Sequence, residues 1–120
     1  MKDAVIVALG RSAIGKAPKG VFRLSRPEDI GAQVLSGVLK QVPQLDARHI
    51  DDVIVGCAFP EAEQGMNLAK IVISKAIPGV DIPGQTVNRF CSSGLQTIAT
   101  AANAIMARQA EVIIAGGIGL

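Results

Sequence analysis

The sequence predicts an α/β fold with a mainly parallel sheet covered by helices, and three observations carry that reading. Short β-branched runs alternate with longer stretches of helical period, in the order strand, helix, strand, helix, strand, helix, strand. The first run, Ala4 to Leu9, is apolar throughout rather than alternating, as expected of a strand covered on both faces. The 120 residues, 49% hydrophobic and 18% charged, have the balance of one domain folded around a core. Right-handed crossovers would join such strands.

Taken in order, Ala4 to Leu9 is the first expected strand. A helix is expected from about Pro27 to Gln41. Ser25 and Glu28 stand at capping-box spacing before it, and Ile30, Val34, Val38, Leu35 and Leu39 form its apolar face. Pro43 ends it, and Asp51 and Asp52 lead into a strand from Val53 to Cys57. A second helix is expected from Asn67 to Ile77, stopped by Pro78 and Gly79, followed by a short strand from Gln85 to Val87. The third helix, about Ser92 to Arg108, is rich in alanine, with Leu95, Ile98, Ala102 and Ile105 on one side. Its residues are so small that it should be packed nearly all round, against a layer supplied by more chain or by another subunit. A strand from Val112 to Ala115 closes the series at Gly116 and Gly117.

Composition excludes several functions. Three phenylalanines and no tryptophan or tyrosine leave no set of ring faces for stacking bases, which argues against a nucleic-acid reader. The net charge is +2, but six basic residues and a single acid, Asp3, lie in the first 26 positions. Such scattered charge reads first as a solvated loop. The apolar runs fall far short of a bilayer span, and the N-terminus lacks a cleavage site, so a soluble, non-exported, cytoplasmic chain is expected. One histidine and two cysteines without Cys-x-x-Cys spacing make a metal cage improbable. A mean hydropathy of +0.40 is high for a free-standing domain and points to apolar surface meant for another domain or subunit.

Several motifs suggest chemistry, and most have a plainer reading. Gly10 to Lys16 fits the first seven positions of a phosphate loop, but Ala17 replaces the magnesium-holding hydroxyl and Pro18 removes a backbone donor where a helix should begin. His49 sits in a polar connection and is expected to have no role. Glu61 and Glu63 could pair as acid and base, although solvated carboxylates are the default for such a loop. Cys57, at the end of an apolar strand, reads as a buried small hydrophobe.

Cys91 stands between a strand and a helix, at or just before the helix N-terminus. Free backbone N–H groups and the positive end of the helix dipole favour a thiolate there, and Ser92, Ser93 and Gly94 are small enough to admit a substrate. On chemistry and spacing alone, nucleophile and structural cysteine both remain open.

The stretch Asn88-Arg89-Phe90-Cys91-Ser92-Ser93-Gly94-Leu95-Gln96 resembles the nucleophile motif of thiolases, which cleave 3-oxoacyl-CoA or condense acyl-CoA units. Val53 to Asn67 is similar to the same region of the degradative fatty-acid branch, and Gly116-Gly117 to the strand end after the family's nucleophile helix. The likeness runs from about Ala4 to the last residue. Arg11-Ser12-Ala13 keeps only the arginine of the family's usual Arg-Thr-Pro.

The resemblance implies that residues 1–120 are an incomplete amino-terminal half-domain, with the coenzyme A-holding loop domain and the carboxy-terminal half in further sequence. It implies that Cys91 is the nucleophile, that its backbone N–H helps hold an oxyanion, and that it carries the acyl thioester. The family's activating histidine, asparagine-containing water site and second cysteine belong to that later sequence, and His49 does not match. The coenzyme A-binding residues cannot be named here. The resemblance implies no metal or redox cofactor, since coenzyme A thioesters are substrates. It also implies a homodimer, or a dimer of dimers, paired through Gln85 to Val87. Alternatives are a ketoacyl-synthase-like condensing enzyme, which Asn88-Arg89 and Gly94-Leu95-Gln96 disfavour, and a non-catalytic dimerisation module.

Overall fold

A computed structural model describes residues 1–119, with Glu63 described through its backbone alone. In chain order the regular elements are α1 (Pro27–Lys40), β1 (Asp52–Gly56), α2 (Leu68–Ala76), β2 (Gly84–Val87), α3 (Ser93–Met106) and β3 (Ile113–Gly117). Short 3-10 turns lie at Ala47–His49, Ala62–Gln64 and Phe90–Ser92. The strands form a parallel sheet in the order β2-β1-β3.

The helix ends follow from local chemistry. Pro27 opens α1 with its φ preset, Glu28 and Asp29 complement the N-terminal end of the dipole, and Lys40 complements the last turn. The expected capping box does not form. Arg26 is the N-cap, so Ser25 and Glu28 lie one step out of phase with the box, and Glu28 pairs with the Arg26 guanidinium instead. Asn67 caps α2 by accepting from the Lys70 N–H at 3.3 Å. Beyond α2, Gly79 takes a φ of +81°, a left-handed step suited to glycine.

β1 is central and almost wholly buried. Its register places Val53 opposite Gly84 on one side and Ile114 on the other. Val53, Val55 and Cys57 join Leu35, Leu68, Ala69, Val72 and Ile73 in the main core, which packs α2 onto the sheet and α1 onto α2. The alternate residues of β1, Ile54 and Gly56, belong to the opposite face, where α3 lies over β1 and β3. Helices thus cover both faces.

One strand expectation needs correction. The segment Ala4 to Leu9 is not a strand of the sheet: Val5, Ile6, Val7 and Leu9 are each about three-quarters exposed. The Leu9 backbone meets the Gln41 side-chain amide instead, its carbonyl accepting from Nε2 at 2.7 Å. A run of apolar residues states what a segment would bury, whereas a strand also needs backbone pairing, and this segment pairs with neither β2 nor β3. The third helix is expected to lean on a layer that these residues do not themselves supply, and α3 leaves one side open. Its sheet-facing residues are the small ones, Ser93, Thr97 and Ala101, while Leu95 and Ile98 face outward and are exposed. Within this chain α3 is therefore packed on one side only.

Among the described residues no helix is long and apolar enough to cross a membrane.

Candidate functional site

Because the strands are parallel, Gly56, Val87 and Gly117 end at the same side of the sheet. The loops after β1 and β2 meet there, at the end where open α/β sheets present their ligand sites. Cys91 lies in the 3-10 turn Phe90–Ser92, directly before α3, and its thiol is free and exposed.

The turn is held by side chains on either side of the cysteine. Asn88 Oδ1 accepts from the Phe90 N–H at 2.9 Å. Ser93 Oγ accepts from the Arg89 N–H at 2.8 Å and donates to the Phe90 carbonyl at 2.6 Å. Ser92 Oγ donates to the Arg89 carbonyl at 3.0 Å, and the Arg89 guanidinium pairs with Gln96 Oε1. Phe90 itself has a φ of +47°. For a bulky aromatic residue that is a costly backbone state, sustained only where the surroundings enforce it.

Glycines let α3 begin close over the sheet. A Cβ on Gly56 would lie 2.5 Å from the Ser93 carbonyl carbon and 2.8 Å from the Gly94 nitrogen. A Cβ on Gly117 would lie 3.1 Å from the Gly94 Cα. The buried Thr97 hydroxyl lies 2.7 Å from the Gly94 carbonyl and 3.0 Å from that of Gly116, tying α3 to the end of β3. Ser93, one of the small residues following the cysteine, is buried in this contact.

The loop after β1 supplies the neighbour of the turn. The Phe59 ring meets the Phe90 ring edge to face, with centroids 6.4 Å apart and planes at 60°. Gln64 is buried and donates from Nε2 to the Phe59 carbonyl at 3.0 Å. Ala62 and Met66 in the same loop also have positive φ. Asn67 closes it, donating to the Gly84 carbonyl and accepting from the Thr86 hydroxyl, both at 2.9 Å.

The other sequence-predicted residues fall elsewhere. Cys57 is 1% exposed, within the main core. His49 is exposed in the turn before β1, at the opposite end of the sheet from Cys91. Glu61 is exposed, and the side chain of Glu63 lies outside the described residues, so that pair receives no structural account. After Gly10 to Lys16 come turns, with the next helix starting only at Pro27. Among the described residues no group of three or more His, Cys, Asp or Glu side chains could hold a metal ion. The sequence reading names Asn88, Ser93 and Gly117 without the parts the structure gives them, Asn88 and Ser93 clamping the turn and Gly117, with Gly56, admitting the start of α3. The available signal was the placement of glycine at two strand ends opposite Ser93 and Gly94.

A parallel three-stranded sheet with a helix starting over its carboxyl end, and a cysteine on the turn before that helix, makes this an α/β unit with its candidate site at the carboxyl end of the sheet. Residues 4–119 match the family model described as thiolase, N-terminal domain. Over 117 residues, 98% of this chain, the protein is 48% identical to the 3-ketoacyl-CoA thiolase of Bacillus subtilis (strain 168). It is 40% identical over 118 residues to the protein of that name from Aliivibrio fischeri, and 38% over 117 to the one from Saccharophagus degradans. The chain belongs to the thiolase family. It spans 30% of the length of each of these three relatives.

Proposed function

We propose that Cys91 is the acyl-accepting nucleophile of an acyl-CoA C-acyltransferase to which this chain contributes the amino-terminal half-domain. The observation that carries the reading is the exposed thiol on a strained, side-chain-clamped turn at the start of α3. In the cleaving direction the Cys91 thiolate attacks the ketone carbon of a 3-oxoacyl-CoA. The bond between C2 and C3 then breaks, its electron pair leaves on acetyl-CoA as an enolate, and that enolate takes up a proton. The thiol of free coenzyme A attacks the resulting Cys91 thioester, releasing the shortened acyl-CoA and restoring the cysteine. The Cys91 backbone N–H is suited to receive oxyanion charge, because the first amides of a helix have no partner within it.

Coenzyme A thioesters are substrates in this scheme, and the reading requires no metal or redox cofactor. β2 is an edge strand with one open side, which supports pairing of Gln85 to Val87 with a second copy in a homodimer. The compartment proposed is the cytoplasm. Proton transfer typically contributes a further hundred- to ten-thousand-fold or so, and the resemblance assigns the groups that supply it to sequence outside this half-domain.

Thiolysis of acetoacetyl-CoA tests the reading. The 120-residue chain alone should show no turnover, and a chain extended to the length of the relatives should show it. In the extended chain Cys91→Ala should abolish turnover, whereas Cys57→Ala should leave most of it. Turnover that survives Cys91→Ala would refute the assignment.

A further inference from the structure

The loop after β1 carries features that packing alone does not require. Phe59 and Phe90 are 63% and 65% exposed, so their edge-to-face contact is not a means of hiding them from water. Gln64 is only 7% exposed, and among the described residues its Oε1 has no hydrogen-bond partner. Its amide nitrogen donates to the Phe59 carbonyl at 3.0 Å, so the buried group is tied to the backbone that carries the Phe59 ring. Two further left-handed residues, Ala62 and Met66, flank Gln64. Costs of this kind concentrate where a backbone geometry serves function rather than stability.

Resting on the assignment of Cys91 as nucleophile, we propose that Phe59 and Gln64 are positioning residues: Gln64 fixes Phe59, and the Phe59 ring holds Phe90 in its left-handed conformation. The residue so held is bonded directly to Cys91. Relaxation of Phe90 toward negative φ would turn the Cys91 peptide away from the amides at the start of α3. The chain of contacts runs from a buried amide through two rings to the reacting sulfur, without either positioning residue touching it.

The test is the rate at which iodoacetamide alkylates Cys91 in the folded chain, followed across pH, with Cys57 as an internal monitor of unfolding. Phe59→Leu and Gln64→Met should each slow Cys91 alkylation at neutral pH by about three- to tenfold, the scale of a lost aromatic pair. Phe59→Tyr should restore the rate. Simple loosening of the fold would do the reverse, speeding alkylation of both cysteines and exposing Cys57. A Phe90→Gly background supplies a second arm, because glycine adopts positive φ freely and needs no brace. There, Phe59→Leu should have no further effect on the rate, a non-additivity that marks coupling through Phe90. If Phe59→Leu and Gln64→Met leave Cys91 at the wild-type rate, or if Phe59→Leu slows it equally in both backgrounds, the brace is overturned while the nucleophile stands. If wild-type Cys91 reacts no faster than a free thiol in the unfolded chain, there is no activated geometry to brace and the brace is overturned, while the nucleophile assignment is decided separately by Cys91→Ala in the extended chain.

Discussion

Gly56 and Ser93 meet backbone to backbone: a Cβ on the glycine would sit 2.5 Å from the serine carbonyl carbon and 2.6 Å from its oxygen. No side chain intervenes where β1 ends and α3 begins, so the helix start rests directly on the sheet. The position of Cys91 is inherited from that contact.

Gly56→Ala should therefore force the start of α3 off the sheet. A destabilisation of about 1–3 kcal/mol is expected, the usual cost of overpacking, measured by denaturant unfolding. Gly37→Ala is the matching control. Gly37 lies within α1 with open space around its Cβ direction, so alanine there should stabilise by about 0.5–1 kcal/mol.

The start of the sheet is pinned by a carboxylate, which makes it sensitive to acid. Asp51 Oδ2 accepts from the Glu111 N–H at 2.7 Å and the Val112 N–H at 3.1 Å, and these bonds hold its carboxyl below the ordinary value of 3.8. A carboxyl lowered in the folded state contributes stability that is complete above its unfolded value and lost as pH falls through the folded one. Asp51→Asn should thus be less stable than wild type at pH 7, with the gap closing below about pH 4. A gap that is constant down to acid pH would show that the two bonds do not depend on the charge.

The two cysteines should separate cleanly in reactivity. Cys91 is exposed and Cys57 is in the core, so limiting iodoacetamide at neutral pH should label Cys91 well ahead of Cys57 in folded protein. Peptide mapping reads the ratio, with circular dichroism confirming the fold. Equal labelling would count against an activated Cys91.

Much of this was legible in the sequence because it depends on local signals. Asn67 before an apolar run, Pro27 at a helix start and Pro78-Gly79 at a helix end place α1 and α2 within a residue or two of their observed bounds. The cysteine between strand and helix was equally visible. What stayed hidden depends on partners distant in the chain. Ala4 to Leu9 has the composition of a strand, but composition does not supply the edge that makes one. The apolar side of α3 could be listed from its period, yet only the glycines of β1 and β3 decide that the small side faces the sheet. The Phe59 and Phe90 contact joins residues 31 apart in sequence, and the left-handed turn it meets leaves no compositional trace where glycine is absent.

The most direct test of the central claim is mass spectrometry of the extended, relative-length chain after incubation with acetyl-CoA, quenched in acid and digested. The peptide containing Cys91 should carry the mass of one acetyl group, removable by hydroxylamine or by free coenzyme A, and the Cys57 peptide should carry none. An acetyl group on any other residue with Cys91 unmodified, or an equally labelled Cys91→Ala protein, would contradict the assignment of Cys91 as the acyl carrier.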